Sequence, residues 1–309
     1  MSPPSLSFGR IGAISAPVQG ALLMTLAALG FSIMNILIRY AAVELHPIQI
    51  AFFRNFFALL FVLPWLFRHG FAGLKTKRPG LHIWRSVVGL SAMFCWFTSI
   101  TILPLAEAVA LNFTVPLFAT AGAFLILHEA VGVRRWSATI AGFIGVVVIM
   151  RPGFVEITPA MAMPVIAAVF MAGSVLLVKT LSRTEDTVAM VLIMNLIMTP
   201  LSLVPALFVW EWPSWPVLGY LLLIGLVATI AHLALTKSYT LADASAVIPF
   251  DYARLPFVAV LAYFAFGELP DLWTWVGAGI IAASAIYIAQ REAKLARERT
   301  AAEAARAQT

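Results

Sequence analysis

Continuous apolar runs about 20 residues long, such as residues 20–38 and 217–235, constrain this chain more than any other feature. At about 1.5 Å per residue, one such run crosses the roughly 30 Å hydrocarbon layer as a helix. Only helices and closed barrels pair every backbone N–H and C=O in lipid. Barrel strands alternate apolar and polar residues, and these runs do not. The fold class is therefore all-α integral membrane. Composition agrees: 62% of the 309 residues are hydrophobic and 11% charged, against about 45–50% and about 25% in a soluble domain. A soluble enzyme and a secreted module are excluded. The single Cys95 supplies neither an intrachain disulfide nor a cysteine-built metal site.

Ten spans follow, over residues 18–38, 48–67, 81–102, 107–127, 135–151, 160–179, 188–209, 216–236, 244–266 and 272–290. Pro47, Pro79, Pro159 and Pro216 mark helix starts, where a missing N–H does little harm. Orientation is read from Lys and Arg. With the N-terminus inside, sixteen of the twenty fall in inner segments, only Arg39 and Arg151 lie outside, and Arg54 and Arg254 fall within spans. Both termini are thus expected in the cytoplasm, residues 1–17 and 291–309 forming tails. The first run is too long for a cleaved signal peptide, so an uncleaved start is expected. The C-terminal tail alternates basic, acidic and Ala residues, a pattern for a solvated helix on anionic membrane lipid or, alternatively, for a specific partner. The net charge of +6 is explained by orientation and does not call for nucleic acid.

The two halves repeat weakly but in order. Leu105-Ala106-Glu107-Ala108 recurs as Leu241-Ala242-Asp243-Ala244, an offset of 136. Glu129 and Trp136 match Glu268 and Trp275 at 139, and Arg39 with Asn55 match Lys179 with Asn195 at 140. Residues 18–151 and 160–290 each contain five spans, so the second copy must enter the bilayer from the opposite side. Such inverted repeats let a carrier open alternately to either side by exchanging the conformations of its halves.

Ionisable residues at a helix centre cost roughly 2.5–3.5 kcal/mol on insertion scales and mark cavities or partners. Asp251 and Arg254 are three residues apart in span nine, on one helix face and about 12–16 Å from its inner end. Pro249 and Pro256 bracket them, and Pro116 falls near the matching place in span four. Each proline removes an N–H and frees carbonyls, so both segments are expected to be broken helices beside a solute. Asp251, Tyr252 and Arg254 are read as pocket residues; the alternative is an ion pair that merely neutralises itself, which Asp251→Asn and Arg254→Gln would distinguish.

Arg54 either snorkels to the interface or receives an anionic group such as a carboxylate, which its fork suits. Trp96 and His232 match at an offset of 136, at symmetric depths, one toward each face. They either pack or stack on a planar or cationic solute. Asn112 and Thr114, just before Pro116, are candidate wall residues. Glu107 and Asp243 open spans four and nine, where capping is the first expectation. Ala138 with Gly142, and Gly279 with Ala283, form small-residue stripes suited to helix packing or a homodimer face.

The His46-Pro47-Ile48-Gln49-Ile50-Ala51-Phe52-Phe53-Arg54 segment, the paired five-span repeats and a Glu closing spans four and nine resemble the drug/metabolite transporter superfamily, EamA type. Lys77-Arg78-Pro79, His82 and Arg85, with Asp251-Tyr252-Ala253-Arg254, look similar to bacterial S-adenosylmethionine uptake transporters; carriers of riboflavin and amino-acid-like metabolites are similar too. The resemblance implies a multi-pass inner-membrane carrier.

No Gly-rich phosphate loop, HExxH or GxSxG pattern is present, and His128-Glu129 lacks a second His four residues on. The expectation is a secondary carrier for a small-molecule solute, not an enzyme, with no cofactor and no metal. Asp251, His232 and Glu107 are candidates for proton coupling. A lipid-modifying enzyme would need clustered nucleophile, base or metal ligands. A non-transporting scaffold or receptor would tolerate loss of Asp251 and Arg254 together.

Overall fold

The computed structural model describes residues 16–69, 76, 78–125, 133–151, 158–181, 184–241, 247 and 250–306. Its regular elements are all helices: α1 (Ala16–Ala41), α2 (Pro47–His69), α3 (Pro79–Ile102), α4 (Leu105–Asn112), α5 (Val115–Leu125), α6 (Val133–Met150), α7 (Pro159–Leu181), α8 (Thr187–Leu207), α9 (Trp215–Leu241), α10 (Arg254–Phe266) and α11 (Leu272–Arg306). α1, α2, α3, α7, α8 and α9 are long and apolar enough to cross a bilayer alone. Shorter apolar helices form the remaining spans. α2, α3 and α7 start on the expected prolines, and α9 starts at Trp215, one residue before Pro216. The Asp186 carboxylate caps α8, accepting from the N–H groups of Val188 at 2.8 Å and Ala189 at 3.2 Å. α11 continues past its apolar part to Arg306 as one helix.

The packing carries the repeat. α1 lies on α9 and α3 lies on α7, two contacts that exchange when the halves are swapped. α2 lies on α8 and α6 on α11, pairs that map onto themselves. A twofold relation between the halves produces this pattern, with its axis passing between the members of each self-matched pair.

Two glycines outside the expected stripes, Gly145 and Gly277, set how closely α6 and α11 approach. A Cβ on Gly277 would stand 2.6 Å from the Gly145 carbonyl oxygen, and one on Gly145 would stand 2.8 Å from that of Gly277. Gly142 instead faces the Leu117 side chain, and Gly279 has nothing within 4 Å of a built Cβ. Ala138 is half-buried and Ala283 exposed.

Polar contacts tie the helices together at one end, the end that the charge bias puts outside. The Gln49 amide donates to the Glu211 carbonyl at 2.5 Å and accepts from its N–H at 3.1 Å. Ser214 donates to Glu44 at 2.8 Å. Arg39 pairs with Glu268 at 2.5 Å, and Arg151 pairs with Asp271. Burial pushes the Asp271 carboxyl up, but hydrogen bonds from Thr274 and the Arg151 cation outweigh it and hold it below its ordinary value.

Candidate solute site

Spans four and nine break at matching places. α4 stops at Asn112, Phe113 and Thr114 form a turn, and α5 begins at Val115, one residue before Pro116. In span nine Tyr252 and Ala253 form the turn, and α10 begins at Arg254, two residues before Pro256. Pro249 lies outside the described residues, as do Asp243 and Glu129. The two turns meet: the Phe113 and Tyr252 rings stand edge to face with centroids 4.7 Å apart. They are 139 residues apart, the offset that also relates Glu129 to Glu268, so repeat-matched residues touch each other.

α1 organises the groups around these turns. Its Ser32 donates to the Arg254 carbonyl at 3.3 Å. Its Phe31 ring lies under the Arg254 guanidinium at 5.0 Å and meets the His232 ring edge to face at 5.1 Å. Asn35, one turn further on, accepts the Trp96 indole N–H at 3.3 Å. Trp96 and His232 therefore contact α1 four residues apart, an axial displacement of about 6 Å. Asp251 accepts from Arg254 at 2.5 Å, so the anticipated ion pair forms inside the bundle. Asn112 donates to the Pro164 carbonyl at 3.3 Å, and the Thr114 hydroxyl donates to Leu111 at 2.8 Å. Asn112 thereby braces the end of α4 against α7.

Arg54 does not snorkel. The residue is 1% exposed. Its guanidinium donates to Asn55 at 2.8 Å and to Asn195 at 3.3 Å. Those two asparagines are repeat partners on α2 and α8, where the twofold relation brings matching residues together. The position that matches Arg54 is Met194, so one cation sits alone beside the axis. No carboxylate pairs with it among the described residues, and its Nε–H has no partner.

Glu107 does not cap α4. One of its carboxylate oxygens is buried without a partner. Glu268 does the capping from the other half, accepting the Leu105 N–H at 3.0 Å while it pairs with Arg39. Asn35, Ser32, Asn195 and Glu268 were not singled out from the sequence as site groups. Ser32, Asn35 and Arg39 share a helix face, a polar stripe in an apolar span that was available as a signal.

Unpaired atoms mark where something polar is accommodated. Asn35 Nδ2, Arg54 Nε, Arg254 Nε and the Tyr252 hydroxyl are buried without hydrogen-bond partners among the described residues. Groups of this kind are normally satisfied by water or ligand.

A multi-pass helical bundle with two broken spans and buried charges beside them has the architecture of a membrane transporter. The EamA-like transporter family model matches residues 18–151 and again residues 158–290. The chain belongs to that family, in its two-repeat membrane fold. It is 37% identical to a riboflavin transporter of Vibrio cholerae, over 91% of this chain and 96% of that one. It is 33% identical to an S-adenosylmethionine uptake transporter of Rickettsia felis, over 84% and 88%. A crystal structure of another protein, 17% identical, superposes with a TM-score of 0.64 over 89% of this chain and 98% of that one, a likeness of fold alone.

Proposed function

We propose that this transporter moves a solute bearing a carboxylate, amino-acid-like or S-adenosylmethionine-like, by alternating access between two inverted halves, with both termini in the cytoplasm. Arg54 carries this reading: a buried cation held by two neutral amides, with no acid paired to it among the described residues, suits a solute carboxylate. Its unpaired Nε, with a terminal nitrogen, forms the edge that binds both carboxylate oxygens. Trp96 and His232 lie near enough through α1 to meet a planar ring, and Asp251, Tyr252 and Arg254 continue that wall, Arg254 resting on the Phe31 ring that His232 also meets. The broken spans give the wall its hinge.

A riboflavin-like solute is the second reading, favoured by the 37% identity to a riboflavin transporter and by the neutral amides of Asn35, Asn55 and Asn195. Uptake and counterflow in proteoliposomes, with and without a proton gradient, test both. Saturable exchange of S-adenosylmethionine or an amino acid supports the first reading, and exchange of riboflavin alone replaces it with the second. Flat traces across the panel would leave both substrate readings without support.

A further inference from the structure

The start of α3 holds a group of polar atoms for which the site around Arg54 has no use. His82, Arg85 and Ser86 are 1%, 3% and 0% exposed. Among the described residues, both ring nitrogens of His82, the Nε of Arg85 and the Ser86 hydroxyl have no hydrogen-bond partner. Spacings of three and four residues put them on one helix face. On the other face Ile83 and Trp84 are 52% and 61% exposed, and they are the ones that meet lipid. The polar group thus looks into the bundle and away from lipid headgroups.

One cation and two neutral groups, with unsatisfied donors directed into a protein interior, make an oxyanion seat. Arg85 donates one terminal N–H to the Met190 carbonyl of α8 at 3.0 Å. Its Nε edge stays free for bidentate contact with a carboxylate. At this end of the bundle the Thr76 hydroxyl donates to the Glu185 carboxylate at 2.7 Å. Arg54 is anchored on the same helix α8, at Asn195. Met190 and Asn195 are five residues apart, about 7.5 Å along the axis.

We propose that His82, Arg85 and Ser86 form a second carboxylate seat, separate from Arg54 and nearer the Glu185 end of the bundle, where the anionic group of the solute rests on entering or leaving that side. This rests on the reading of a carboxylate-bearing solute. The two seats are anchored about 1.4 turns apart on α8, so both arginines bond to one helix of the second half.

Thiol labelling tests the seat without needing a carried solute. In the full-length chain with Cys95→Ser and Ser86→Cys, the new thiol is labelled with a sulfonate-bearing and an ammonium-bearing methanethiosulfonate, each rate divided by that on a free thiol. The sulfonate reagent is expected to react faster, and Arg85→Gln to lower the rate ratio about tenfold, as removal of a unit charge a few ångströms away in a poorly solvated cleft should. Arg85→Lys keeps the charge and most of the ratio. Equal rates for the two reagents with Arg85 intact, no reaction with either, or a ratio unchanged by Arg85→Gln would each overturn the proposal. The first of these readouts needs no change at Arg85, so it stands even if that variant does not accumulate. A carrier that moves nothing on the solute panel fails in proteoliposomes, while a seat that does not exist fails in labelling, and the two failures are distinct.

Discussion

Arg54→Gln should weaken transport while leaving the empty protein as stable as before or more so. The guanidinium is buried, is held by the two asparagine oxygens and meets no counter-ion among the described residues. Keeping an uncompensated cation there costs several kcal/mol after relaxation. Gln removes the charge and can still donate to one of the two asparagines; the other loses a hydrogen bond of about 1 kcal/mol. The stability balance is therefore close to zero or favourable. The carboxylate, in contrast, loses two charge-assisted hydrogen bonds, each worth about 1.5–3 kcal/mol. Even with partial rehydration, a loss of about 3 kcal/mol corresponds to roughly a hundredfold rise in KM, at 1.4 kcal/mol per factor of ten. Counterflow with S-adenosylmethionine and with riboflavin, beside a melting curve in detergent, measures both halves. The KM for the first solute should rise and that for the uncharged one should change little, with Tm unchanged or higher. A lowered Tm with parallel loss of both solutes would refute the reasoning and make Arg54 a structural residue.

Three further outcomes follow from the packing. Glu268→Gln removes the ion pair with Arg39 and weakens the acceptor at the start of α4, so thermal stability in detergent should fall by about 1 kcal/mol, and Arg39→Gln should cost little more once Glu268 is gone. Gly277→Val drives side-chain atoms into the Gly145 backbone and should abolish accumulation of folded protein, whereas Gly279→Ala, with open space around its Cβ, should behave as wild type in size-exclusion profiles. Reporter fusions at the two ends should both report the cytoplasm; a periplasmic signal from either end would refute the orientation drawn from the Lys and Arg distribution.

The ten apolar spans, several helix starts and the place of both breaks were legible because lipid acts on each segment separately. A run such as residues 217–235 is held across the bilayer by its own length and apolarity, and Pro47, Pro79 and Pro159 punctuate helix starts through their own missing N–H. Partnership between segments is a different matter. A helix apolar on every side carries no mark of which face turns inward, so its rotation is decided only when its neighbours pack. Folding alone brought Glu268 to the start of α4 and to Arg39, 229 residues away, where local sequence pointed to Glu107 as the cap. Folding alone moved the close approach from the Gly279 stripe to Gly145 and Gly277. Arg54 gives the clearest case. Sequence showed a cation in a span; only the meeting of α2 with α8 around a twofold axis set it, buried, between Asn55 and Asn195, with no acid paired to it among the described residues.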